Sequence, residues 1–226
     1  MDSGRTRDAE ATRASILEAA EATFVEKGFA DASVSEIAEA AGVTKSLIHH
    51  HFGSKEKLWG EVKHHRFGIY AAAQRPLLES AERNAELLYQ SVIAYYRFLE
   101  ENPEFARLIS WMHLEEAEEQ EFAAGDELTK LGVKCIAEGQ ERGELREDIH
   151  PFHMLVSFLG LAQSWFQSKE HHCQWCEEGS PLEDDEEYLG SMLKIFFEGV
   201  LPREEGDTRL ADLERAASRT TAEDER

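Results

Sequence analysis

Apolar residues recur every three to four positions along this chain, and no stretch alternates with period two for more than a few residues. That pattern predicts an all-α fold. A first helix is expected from about Glu10 to Lys27, with Ile16, Leu17, Ala20 and Phe24 as its core stripe and Gly28 as its stop. Ser33 followed by Glu36 is a capping box, so a short helix should start there and bury Val34, Ile37, Ala38 and Ala41. Gly42 sits where the chain must turn. Thr44 is placed to cap the next helix, whose apolar positions are Leu47, Ile48 and Phe52. Gly53 ends that helix and Ser54 caps the one after. Two helices joined by a short glycine turn form a helix-turn-helix, whose second helix enters the DNA major groove.

The remaining segments are longer. A helix should run from Lys55 past Tyr70 to about Gln74, with Pro76 kinking or ending it. Further helices are expected over about Ala81 to Glu101, then to about Glu119 after Asn102-Pro103, and from Glu121 to Arg142, closed by Gly143. Met154 to Phe166 and Tyr188 to Leu201 are apolar all the way round. A helix on a surface needs only one apolar stripe, so this pair must be covered on both sides. A second copy of the chain is the simplest cover, and Phe158, Leu161, Trp165, Leu189, Met192 and Phe196 are the expected interface of a two-fold homodimer. After Pro202 the chain is charged and poor in large apolar residues, which predicts a disordered tail over 203–226.

The stretch GVTKSLIHHHFGSKEKLW resembles the recognition region of TetR-type transcriptional regulators, with Gly42, Val43, Lys45, His50, Phe52, Ser54, Lys55, Glu56 and Leu58 in register. Ile16, Ala19, Ala20, Phe24, Gly28 and Phe29 match that family's first helix and its exit. His49 and His51 depart from the pattern, standing where tyrosines are usual, and Ser46 stands where glycine is. The resemblance implies a helix-turn-helix head over 1–54, with a mobile arm over 1–9. It also implies an effector-binding and dimerisation bundle over 55–202. Thr44, Lys45, Ser46, His49 and His50 would face a near-palindromic double-stranded operator, with Ser33 and Lys55 on phosphates. Capping alone also accounts for Ser33, Thr44 and Ser54. The family's members are more often repressors than activators, released from or retuned on DNA by a small molecule.

Charge first argues against a DNA binder: 24 Lys and Arg face 46 Asp and Glu, a net charge of −22. The distribution removes the objection. Residues 1–65 hold 8 basic against 11 acidic side chains, whereas the remainder holds 16 against 35. The acidity lies outside the head, where it would weaken non-specific binding. The amino-terminal residues are polar and no run is long and apolar enough to span a bilayer, so a cytoplasmic protein is expected.

Candidate chemistry is sparse. His49, His50 and His51 are consecutive on a helix and point about 100° apart, so they cannot share one metal ion. Cys173 and Cys176, beside His171 and His172, form a lone C-x-x-C that would make a metal or redox sensor, the alternative reading. Glu61-x-x-His64 and Glu147-x-x-His150 echo di-metal bundle enzymes but lack the bundle-core setting. No nucleotide-binding or nucleophile motif is present, so neither catalysis nor a cofactor is expected. The aromatic residues Phe67, Tyr70, Tyr96, Phe105, Trp111 and Trp165, with His113 and Gln163 near them in sequence, are the candidate walls of a mostly apolar effector pocket.

Overall fold

The computed structural model describes residues 3–79, 85–114, 123–174 and 184–202. Among these the chain is helical, with no strand. The head comprises α1 (Ser3–Asp31), α2 (Val34–Ala40) and α3 (Lys45–Phe52). The body comprises α4 (Lys55–Leu78), α5 (Ala85–Glu101), α6 (Pro103–Leu114), α7 (Ala123–Glu141), α8 (Pro151–Cys173) and α9 (Asp185–Val200).

Local signals fix the head. Helix α1 breaks at Gly28, which takes φ +76° and ψ 173°, a conformation that penalises a side chain. Ile16, Leu17, Ala20 and Phe24 are all buried, as their spacing predicts. Ser33 Oγ accepts the Glu36 backbone N–H and Glu36 accepts the Ser33 N–H, so the capping box is complete. Gly42 and Gly53 also have positive φ, and Ser54 accepts the Lys57 N–H. Thr44 occupies the N-cap of α3 with extended backbone, but its side chain makes no cap bond. Helix α1 already begins at Ser3, inside the segment expected as an arm.

Tertiary packing overrides two local signals in the body. Helix α4 runs through Pro76 to Leu78, beyond the stop expected near Gln74. Proline deletes one helical hydrogen bond, and burial of Ala71 and Leu78 with Leu87, Leu128 and Cys135 offsets that loss. Helix α8 is likewise longer than its apolar run and starts with Pro151 in its first turn, where a missing N–H is harmless. Gly143, with φ +71°, follows α7 as predicted. The 203–226 tail lies outside the described residues.

Head and body share a continuous core. Helix α1 packs against α2, α4 and α6, while α4 also packs against α5 and α7. Trp59 of α4 lies 4.9 Å from the Phe24 ring of α1, and Trp111 of α6 donates its Nε1–H to the Val25 carbonyl at 3.2 Å. Charges clamp the same joint: Arg66 of α4 pairs with Glu21, and Arg13 of α1 pairs with Glu61.

Candidate DNA-binding face and effector cavity

Helix α3 owes its orientation to two buried side chains. Ile48 and Phe52 are 1% and 6% exposed in the core where α3 packs against α2 and α4, which turns its other side to solvent. Thr44, Lys45, Ser46, His49 and His50 are all exposed on that outer side. His49 has Nδ1 at 2.9 Å from the Gly53 carbonyl; donating there, the ring leaves Nε2 facing outward. Leu47, expected to be apolar core, is instead 37% exposed. Its position falls off the stripe carrying Ile48 and Phe52, and that mismatch was the available signal for an outward residue.

Two of the expected phosphate contacts are engaged within the head. Lys55 donates to the Ala30 carbonyl at 3.2 Å and lies 4.4 Å from the Phe29 ring centroid, which holds it against the turn after Gly28. Ser33 is half-buried and bonded to Glu36. Lys27 donates to Glu36 at 2.7 Å, and with the Ser33 hydrogen bonds this lowers the Glu36 carboxyl pKa to about 2.

A cavity of about 280 Å³ lies inside the body between α4, α5, α6, α7 and α8. Phe67, Tyr70, Phe105, His113 and Gln163 line it, so five of the eight candidate pocket residues come together. Tyr96, Trp111 and Trp165 lie outside it. Tyr96 donates its hydroxyl to the Asp185 carbonyl at 2.8 Å. Trp165 stacks on Tyr188 at 4.1 Å and donates to the Asp185 carboxylate at 2.6 Å. Trp111 faces the head. Gln74, Ser91, Tyr95 and Phe158 complete much of the lining and were not predicted. Nothing local marks them, because the cavity is assembled from five helices.

The side chains expected at a subunit interface are mostly covered by their own chain. Phe158, Trp165, Leu189, Met192 and Phe196 are each no more than 6% exposed, and Leu161 is half-buried. An apolar helix does not declare which face meets its own core. The outward apolar side chains of these helices are Phe152, Val156 and Ile195, at 44%, 41% and 67% exposure.

Cys176 and the side chain of Cys173 lie outside the described residues, and no group of three metal-ligating side chains is present among those described. Glu61 is occupied by Arg13 at the head–body joint, while His150 caps α8 by accepting the Phe152 N–H. The two Glu-x-x-His pairs are thus on separate parts of the molecule. No helix among the described residues is long and apolar enough to cross a membrane.

A helix-turn-helix head with an outward-facing second helix, fused to a helical body, is the architecture of a DNA-binding transcriptional regulator. Residues 16–62 match the family described as bacterial regulatory proteins, tetR family, and residues 88–187 match the tetracyclin repressor-like C-terminal domain. The HTH-type transcriptional repressor SCO4008 of Streptomyces coelicolor is 30% identical over 164 residues, covering 69% of this chain and 79% of that protein. The repressor NicS of Pseudomonas putida is 26% identical over 174 residues, covering 74% and 81%. Among solved structures, the ketosteroid transcriptional regulator KstR2 of Mycobacterium tuberculosis superposes with TM-score 0.63 at 22% identity, covering 84% of this chain and 95% of that one. AibR, in complex with isovaleryl coenzyme A and operator DNA, superposes with TM-score 0.65 at 19% identity, covering 81% and 97%. The chain belongs to the tetR family of transcriptional regulators.

Proposed function

We propose that the protein is a homodimeric repressor that acts by binding, not catalysis, in the cytoplasm. It holds a near-palindromic operator through Thr44, Lys45, Ser46, His49 and His50 of two heads, and releases it when a small molecule fills the interhelical cavity. The observation that carries this reading is the sharing of helices: α4 and α6 both wall the cavity and both pack against α1. A ligand that moves either helix must therefore disturb the seat of the head. To act at all, it must bind the DNA-incompetent arrangement more tightly, and a 100-fold preference supplies about 2.7 kcal/mol per site. AibR, as named above, holds both an acyl-coenzyme A and operator DNA, which supports a ligand-responsive regulator on this fold.

The two-fold partner is assigned to the outward faces of α8 and α9, around Val156 and Ile195. The test has two stages. Selection of bound DNA from a random pool should enrich a near-palindrome. Thermal-shift screening of a compound library should then find stabilising molecules that release that DNA in a mobility-shift assay. A selected pool without sequence preference would sink the repressor reading, and stabilising compounds that all leave operator affinity unchanged would sink the effector reading.

A further inference from the structure

The cavity's polar groups are few and unevenly used. Ser91 donates to the Leu87 carbonyl at 2.8 Å, and Cys135 to the Leu78 carbonyl at 3.5 Å, so both are satisfied. Gln74 is different: it is 3% exposed, lines the cavity and has no hydrogen-bond partner among the described residues. Tyr70 precedes it by one helical turn on the same face of α4, and its hydroxyl also lacks a partner among those residues. The Tyr95 ring packs edge-on against Tyr70 with centroids 5.3 Å apart. Its hydroxyl accepts a hydrogen bond from Gln163 at 2.6 Å, and its own O–H has no acceptor among the described residues. Buried polar groups are nearly always paired. Here an amide and two phenol O–H groups face one space and donate to no acceptor among the described residues.

Charge restricts what could supply it. Among the described residues no Lys, Arg, Asp or Glu lines the cavity, and the one imidazole there, His113, is exposed. A carboxylate or ammonium drawn inside would lose its hydration and meet no counter-charge, which is strongly unfavourable. Burial raises the pKa of both tyrosines, so they present O–H donors. The 280 Å³ volume equals roughly nine waters at about 30 Å³ each, space for about a dozen non-hydrogen atoms.

We infer that the cavity takes an uncharged, largely apolar molecule bearing one carbonyl-type oxygen, which accepts hydrogen bonds from Tyr70, Tyr95 and Gln74. This rests on the assignment of the cavity as the effector site. The test is calorimetric titration of the full chain with three molecules of one shape: 1-acetylnaphthalene, 1-ethylnaphthalene and 1-naphthoate. The ketone should bind at least tenfold more tightly than the hydrocarbon, and naphthoate about 100-fold more weakly than the ketone. Tyr70→Phe and Gln74→Leu should each weaken the ketone about fivefold, the effect of one neutral hydrogen bond, and leave the hydrocarbon unchanged or tighter. Leu155→Trp, which fills the cavity, should abolish all binding. Equal affinity for ketone and hydrocarbon, or tighter binding of naphthoate, overturns the carbonyl inference while the cavity remains a ligand site. Binding that survives Leu155→Trp, or no binding by any of the three, overturns the cavity assignment itself.

Discussion

The indole of Trp111 occupies the space that a side chain at Gly28 would need. A β-carbon there would stand 2.8 Å from Cε3 and 2.9 Å from Cζ3, and Gly28 also holds φ +76°. The break in α1 is therefore fixed twice, by backbone conformation and by an aromatic ring from α6. Gly28→Ala should cost about 2 kcal/mol, since it combines strain with displacement of the indole. Urea denaturation measures it, and an unchanged midpoint would mean that the contact is slack.

Trp111→Ala separates the two functions of α6. The residue lies outside the cavity, so ligand affinity should change less than threefold. Release of DNA by a saturating ligand should weaken at least tenfold, because the ring that joins α6 to Val25 and Gly28 is gone. A ligand response equal to wild type would remove Trp111 from the coupling route.

The capping box should be acid-labile. The Glu36 pKa, lowered to about 2 by Lys27 and Ser33, is below its ordinary value of 4.5. A carboxylate with a depressed folded pKa stabilises the protein above the unfolded value and loses that contribution as pH falls from about 4.5 through 2. Glu36→Ala should therefore lower the urea midpoint at pH 7, with the gap to wild type shrinking at pH 3. A gap independent of pH would show that the carboxylate charge does not matter.

The exposed Lys45 of α3 and the engaged Lys55 at the start of α4 should behave differently. Lys45→Ala should weaken operator binding and reduce the salt slope by about one unit. Lys55→Met removes the bond to Ala30 and the contact with Phe29, so its first effect should be a lower Tm for the free protein. Equal effects on stability would refute the distinction.

Ile195→Glu and Phe196→Glu make a matched pair for the subunit contact. Ile195 is 67% exposed and Phe196 is 4% exposed in a single chain. The first should yield folded monomers by sedimentation. The second buries an unpaired carboxylate and should unfold the body, at a cost of several kcal/mol. A dimer that tolerates Ile195→Glu would move the interface elsewhere.

How much was legible in the sequence follows from how local each cause is. Ser33 with Glu36, and the glycines at 28, 53 and 143, act within one turn, and each lies where the pattern placed it. The register of α3 was readable because its family pattern spans contiguous residues. Pro76 misled because its penalty is local, whereas the packing that outweighs it comes from α5 and α7. Phe158 and Phe196 were assigned outward because an apolar residue records that it must be buried, not against what. Gln74 carried no signal at all: a glutamine on an amphipathic helix reads as solvent-facing until four other helices close over it.

The division of labour among the body helices bears on how such a regulator can diversify. The head is seated mainly on α4 and α6, whereas α5, α7 and α8 supply the rest of the cavity wall. Substitutions such as those at Leu88, Thr129 or Leu159 can reshape the ligand's surroundings without touching the surfaces that aim α3 at its operator. Descendants of one gene could thus inherit an unchanged target sequence while exchanging the molecule they answer to.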